Sequence, residues 1–451
     1  MSEIADSLQL ATPPSKDQLF KRFEERLDDV QTLVPRGRVV RVVGLVIESS
    51  GPDASVGEIC EILDRKGNLQ GLAEVVGFRD LHVLLMPLGE LQGISPGSIV
   101  CASGRPFTVK VGQGLLGRVL DGLGQPIDDN GPLDTDSRVP ITANPPHPLK
   151  RQRITEPLTL GIRSIDGLLT CGRGQRFGIF AGSGVGKSVT MGMVARNTEA
   201  EVNVIALVGE RGREVRDFIE RDLGEEGLKR SVVVVVTSDQ PALIKIKGAM
   251  LATAIAEYFR DSGLDVMLMM DSVTRLAMAQ REIGLAIGEP PTTRGYTPSV
   301  FALLPKLLER AGRGSQGSIT GLYTVLVEGD DMNEPVADAV RSTLDGHIVL
   351  SRKMATEGHY PAVDVLDSVS RVMAEVAPEE IKKAAKIVLT DLAVWRENED
   401  LINIGAYKSG SNPRIDRAIS KREGIEAFLK QDMYEGATIQ ETWKEMQDLA
   451  S

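Results

Sequence analysis

Apolar residues change their spacing several times along the chain, and each change marks a different kind of element. Ser15, with Gln18 three positions later, has the pattern of a capping box. Behind it Leu19, Phe20, Phe23, Leu27, Val30 and Val34 recur at steps of three and four between charged residues. That spacing predicts an amphipathic helix over 16–34, ended by Pro35 and Gly37. From Arg38 the runs shorten to 39–47, 57–62, 72–78, 82–86 and 98–101, punctuated by Gly and Pro. Short strands so bounded predict a small β-barrel. Farther on, near-continuous apolar runs at 176–180, 202–208, 232–237, 266–270, 322–327 and 347–351 alternate with helical stretches. Strands without polar alternation belong in a parallel sheet covered on both faces. The expected division is a docking helix (1–35), a β-barrel (36–105), a Gly- and Pro-rich connector (106–150), an α/β domain (151–372) and a helical C-terminal domain (373–451).

Composition narrows the possible activities. The 451 residues carry a formal net charge of −11 and only 4% aromatics, which opposes a phosphate-backbone or base-stacking partner. Three scattered cysteines supply neither a disulfide framework nor a zinc site, so the chain reads as intracellular. No apolar run approaches the length of a membrane span, so any membrane contact is expected to be peripheral. The four histidines lack ligand-like spacing and are expected to be structural, and Met267, Met269 and Met270 are expected to pack in the core. The basic cluster at 150–153 is expected to be a solvated linker.

The strongest chemical signal is Ala181-Gly182-Ser183-Gly184-Val185-Gly186-Lys187-Ser188, between a strand and a helix. This is a P-loop: glycines free the backbone to present N–H groups to phosphates, and the helix N-terminus adds its positive end. Lys187 then neutralises the β/γ-phosphates and Ser188 ligates Mg²⁺. The strict pattern opens on Gly, where this chain has Ala181. Asp271 closes the apolar run 266–270, at the strand edge where ligands of open parallel sheets gather, and is a candidate for the metal's water shell. Glu210 ends the strand after the P-loop helix and is a candidate to polarise the attacking water; capping the next helix is the alternative.

Longer motifs carry a resemblance. The segments GLLGRVLDGLGQPID, VGERGREV, MMDSVTRLAMAQREIGLAIGEPPTTRGYTPSVFALLPKLLERAG, VLVEGDDMNEPVADAVRSTLDGHIVLSR and HYPAVDVLDSVSRVM run in order through about four-fifths of the chain. In them the chain resembles the flagellar and type III secretion export ATPases, homologous to the catalytic subunits of rotary F-type ATP synthases, with the flagellar branch preferred. The resemblance implies a RecA-like P-loop core with an N-terminal barrel and a helical C-terminal domain. It implies ATP and Mg²⁺ as ligands, Glu210 as catalytic carboxylate with Arg211 beside it, and Arg275 in the phosphate pocket. It also implies Tyr360 as the residue against which adenine stacks, and Arg371 as an arginine finger reaching the next subunit. Its partners would be a homohexamer, a stator protein at the N-terminal helix, chaperones and substrates at the C-terminal domain, and an export gate at the inner face of the cell membrane. The competing readings are a rotary synthase catalytic subunit and an RNA-driven ring such as the Rho terminator.

Overall fold

The computed structural model describes residues 35–90, 93–327, 329 and 331–451. The amphipathic helix expected over 16–34 lies outside the described residues. The first six strands are Arg36–Val43 (β1), Val46–Ser49 (β2), Glu58–Leu63 (β3), Leu69–Arg79 (β4), His82–Pro87 (β5) and Ile99–Pro106 (β6). They close into a barrel in the order β1-β2-β5-β4-β3-β6, with every pairing antiparallel. Closure removes the free edges along which sheets aggregate. Val39, Ile47, Cys60, Ile62, Ala73, Val75, Val83, Leu85 and Val100 fill its interior. The single run expected over 39–47 is two strands, because a turn at Gly44 and Leu45 reverses the chain. Glu74 of the barrel forms a buried ion pair with Lys247 of the central domain, so the two bodies are joined by charge as well as packing.

The central sheet uses Val119–Asp121 (β7), Arg176–Ala181 (β8), Val202–Glu210 (β9), Ser231–Thr237 (β10), Asp265–Asp271 (β11), Ser318–Leu326 (β12), Gly346–Leu350 (β13) and Val363–Ser370 (β14). Their order is β14-β13-β8-β12-β11-β9-β10-β7, parallel throughout except for β14, which runs antiparallel to β13. Successive residues of the apolar strands serve opposite faces. Val204, Ala206, Val208, Leu268 and Met270 share one core with the helices Ala242–Asp261 and Val273–Ile287. Ile179, Ile205, Leu207, Met267 and Met269 share the other with Lys187–Asn197 and the C-terminal helices. In chain order these helices are Lys187–Asn197 (α1), Ala242–Asp261 (α2), Val273–Ile287 (α3), Glu379–Asn403 (α4), Pro413–Leu429 (α5) and Ile439–Ala450 (α6).

The three methionines are buried as expected. Two of these eight strands were not anticipated. β7 is three residues long and lies inside the glycine-rich connector, while the edge strand β14 (VDVLDSVS) is interrupted by Asp and Ser and forms no apolar run. The solvated reading of 150–153 fails for Arg151, whose guanidinium donates to Ala311 O (2.9 Å) and pairs with Glu309 Oε2 (3.0 Å). No helix among the described residues is long and apolar enough to cross a membrane.

Candidate active site

β8 ends at Ala181 between two parallel neighbours, β12 and β13. The chain turns through Gly182, Ser183, Gly184, Val185 and Gly186, and α1 begins at Lys187 with Ser188 in its first turn. Gly186 adopts φ 96°, a left-handed conformation that a side chain would strain. A Cβ there would lie 3.7 Å from Cδ1 and Cε1 of Tyr360, so the Tyr360 ring sits against the loop. Strand, glycine turn and helix N-terminus therefore meet where the sequence placed them.

Lys187 joins the loop to the strand ends. Its Nζ donates to Asp271 Oδ1 (2.5 Å) and to Glu210 Oε1 (3.2 Å). Asp271 stands opposite Leu207 in the register of β11 with β9 and is 2% exposed. Thr324 on β12, fully buried, donates its hydroxyl to the same Asp271 Oδ1 at 2.8 Å. Burial pushes the Asp271 carboxyl up, against the pull of Lys187. Burial also raises Glu210, and its hydrogen bond with Glu214 adds to the rise. Burial would lower Lys187, but Asp271 and Glu210 outweigh it and hold the ammonium above its ordinary value. Lys187 thus stays charged between two carboxylates, a cation held ready to exchange partners.

Glu210 does not cap the following helix: Arg211 is the N-cap residue, and no side-chain cap bond forms there. Gly209, at φ 78°, shifts the register of β9 with β10, and a Cβ on it would come 2.9 Å from Cβ of Arg275. Only glycine lets the first turn of α3 approach so closely, and this brings the Arg275 side chain against Gly209, next to Glu210 in the chain. Arg211 is not brought to the cluster: its side chain is 79% exposed and pairs with Glu214 at 3.5 Å. Arg371 also stands apart. Ser370 pairs with Gly346 at the start of β13, so Arg371 emerges at the margin opposite the P-loop, where its Nη1 donates to Leu344 O (3.2 Å). Asp367, a partner that helical spacing could have offered, pairs instead with Arg396 at 3.5 Å.

Thr324 and Glu214 were missed from the sequence. The signal for Thr324 was available, since it interrupts an apolar strand beside the one that ends in Asp271.

A glycine loop feeding a helix, with a lysine shared by carboxylates at neighbouring strand ends, defines a P-loop nucleotide hydrolase. Comparison with known proteins gives the particular family. Models of the ATP synthase alpha/beta family match the β-barrel domain at 39–104 and the nucleotide-binding domain at 161–370. The model of the T3SS EscN ATPase C-terminal domain matches 377–448. The flagellum-specific ATP synthase of Bacillus subtilis is 59% identical over 90% of this chain and 93% of its own. The type 3 secretion system ATPase of Xanthomonas euvesicatoria is 55% identical over 88% and 89%. The solved structure of assembled EscN from enteropathogenic E. coli, in complex with its central stalk EscO, aligns with a TM-score of 0.85 at 44% identity, over 92% of this chain and 100% of that one. The chain belongs to this family of flagellum-specific and type III secretion ATPases, and it is an ATP hydrolase.

Proposed function

We propose that the chain hydrolyses ATP as one subunit of a homohexameric ring that energises export of flagellar proteins, aiding release and unfolding of substrates at the export gate. The observation that carries the catalytic part is Lys187 held between Glu210 and Asp271 beneath the P-loop. An incoming triphosphate draws Lys187 toward its β/γ-oxygens, and the backbone N–H groups from Gly182 to Ser188 cradle the phosphates. Release from Lys187 leaves Glu210 free to orient the attacking water and accept its proton. On this reading Arg275, in the first turn of α3, reaches the same phosphates, and Arg211 swings from Glu214 toward them. The Tyr360 ring covers the adenine.

The donor set fits Mg²⁺, a hard ion that prefers a few oxygen ligands and keeps several waters. Ser188 would ligate it directly, and Asp271, anchored through Oδ1 by Thr324, would hold its water shell. When bound, the ion neutralises charge developing on the phosphates. Arg371 completes the site of the neighbouring subunit, since within one chain it stands at the opposite margin of the sheet.

The partners proposed are a stator protein at the N-terminal helix, chaperones and substrates at the C-terminal domain, and a gate at the inner face of the cell membrane. This places the protein in the cytoplasm, peripherally attached. Deletion of residues 1–35 is expected to abolish stator binding and leave ATPase activity intact. The C-terminal match to the EscN domain favours this reading over a rotary synthase subunit. Turnover by Glu210→Gln is the deciding measurement: activity within a few-fold of wild type would remove Glu210 from the mechanism.

A further inference from the structure

The segment 430–438, between α5 and α6, lies on the nucleotide-binding domain, and Gln431 is its one buried residue, 6% exposed. Its side-chain Oε1 accepts the Arg163 N–H at 2.8 Å. Its Nε2 donates to Gly161 O and to Glu435 O, each at 2.8 Å. The amide uses its acceptor and both donors at once, which fixes its rotation. Residue 431 is thereby pinned, and its backbone N–H donates to Tyr360 O at 3.0 Å.

Arg163 tightens the same segment, donating through Nε to Phe428 O (3.1 Å) and through Nη2 to Lys430 O (2.5 Å), and pairing with Glu435. Arg196, in the last turn of the P-loop helix, donates to Met433 O. The segment therefore grips the P-loop helix at one end and the Tyr360 loop at the other. Tyr360 itself is 47% exposed, so side-chain packing constrains its ring little, and a bond to its carbonyl matters correspondingly more.

We propose that Gln431 is a positioning residue for base recognition: by pinning the N–H that holds Tyr360 O, it keeps the Tyr360 ring at the height of a bound adenine. The inference rests on the reading of Tyr360 as the wall that covers the base. The Gln431 side chain bonds to Gly161, Arg163 and Glu435, none of them in the P-loop, so its effect should fall on the base and not on the polyphosphate.

The test uses the full chain and two ligands that share phosphates but differ in the base: ATP as substrate, and inorganic tripolyphosphate as competitive inhibitor. In Gln431→Leu, KM for ATP is expected to rise roughly five- to tenfold, the scale of one or two lost buried hydrogen bonds. The Ki of tripolyphosphate and kcat should stay within twofold. Gln431→Asn, which keeps the amide on a shorter arm, is expected to show the same split and serves if the leucine variant does not fold. In a Tyr360→Ala background, Gln431→Leu should add nothing to KM. A parallel rise in KM and in the tripolyphosphate Ki would overturn the proposal, because the damage would then be general. An unchanged KM would overturn it as well. Tyr360→Ala alone separates the two layers: if it leaves KM for ATP unchanged, the reading of the base wall fails. If it raises KM while Gln431→Leu does not, only the role of Gln431 fails.

Discussion

At the carboxyl ends of β8, β9 and β11, Lys187 already touches both Glu210 and Asp271. At the opposite margin, past β14, Arg371 is exposed, and the contact its guanidinium makes is with a backbone carbonyl. The two margins differ in what folding alone can complete. Burial of Asp271 and Glu210 is costly for two like charges, and the chain offsets it by burying Lys187 with them. That arrangement needs three strands and a loop in fixed register, which one domain supplies. An exposed arginine needs no such compensation, so it can wait for a partner surface. On this view chemistry is prepared inside each chain and switched on at the contact between chains.

The largest expected effect is at the exposed margin. Arg371→Ala should lower kcat by about 10³–10⁵, the range for a guanidinium aimed at a transferring phosphoryl group, while ATP binding stays near normal. Turnover per chain should rise with protein concentration in the wild type. Mixing Arg371→Ala with inactive Lys187→Ala should restore activity, because some interfaces then join an intact pocket to an intact finger. Mixed rings that demonstrably form yet stay inactive would return Arg371 to its own chain.

The next effect probes the prebuilt margin. Glu210→Gln should reduce kcat by roughly 10²–10⁴, the contribution of a positioned acid–base group. No mixture with Arg371→Ala should reach the activity of wild-type rings, since only one of its interface types carries both groups. A smaller loss comes from Thr324→Val, which keeps the shape but removes the hydroxyl on Asp271 Oδ1. It should cost about tenfold in kcat, consistent with one buried charge-assisted hydrogen bond, with Thr324→Ser near wild type. Equal rates for the valine and serine variants would show that Thr324 only fills space.

Much of the prebuilt margin was legible because local rules carry it. The P-loop is contiguous, and Glu210 and Asp271 each close an apolar run whose length marks a parallel strand. What stayed hidden depends on register or on distant chain. β14 is interrupted by Asp and Ser, so no apolar run announces it, and Thr324 gains meaning only when β12 lies beside β11. Gln431 bonds to a residue 268 positions away. Arg211 shows how little adjacency alone decides. Neighbouring residues at a strand end point to opposite sides, so when Glu210 faces Lys187, Arg211 faces solvent.

The smallest effect on turnover is expected from Asp166, an acid belonging to neither margin, and it sharpens the argument about buried charge. Its two oxygens accept the N–H groups of Leu160 (2.9 Å) and Gly161 (2.8 Å), yet among the described residues no cation is paired with it. Burial pushes its carboxyl up to about 7, and the backbone bonds only partly oppose the rise. The folded state therefore holds this proton more tightly than the unfolded chain, where the ordinary value is 3.8. The sign follows from linkage: the contribution is most favourable below pH 3.8, declines as pH rises toward 7, and is constant above that. Its slope in that window approaches about 1.4 kcal/mol per pH unit of stability lost. Asp166→Asn cannot ionise, so its urea midpoint should change less than the wild type's between pH 5 and pH 7, with kcat at pH 7 nearly unchanged. Parallel midpoints for the two proteins across that interval would mean that Asp166 is charged at both, and that two N–H donors suffice to hold a buried carboxylate where Asp271 has a lysine.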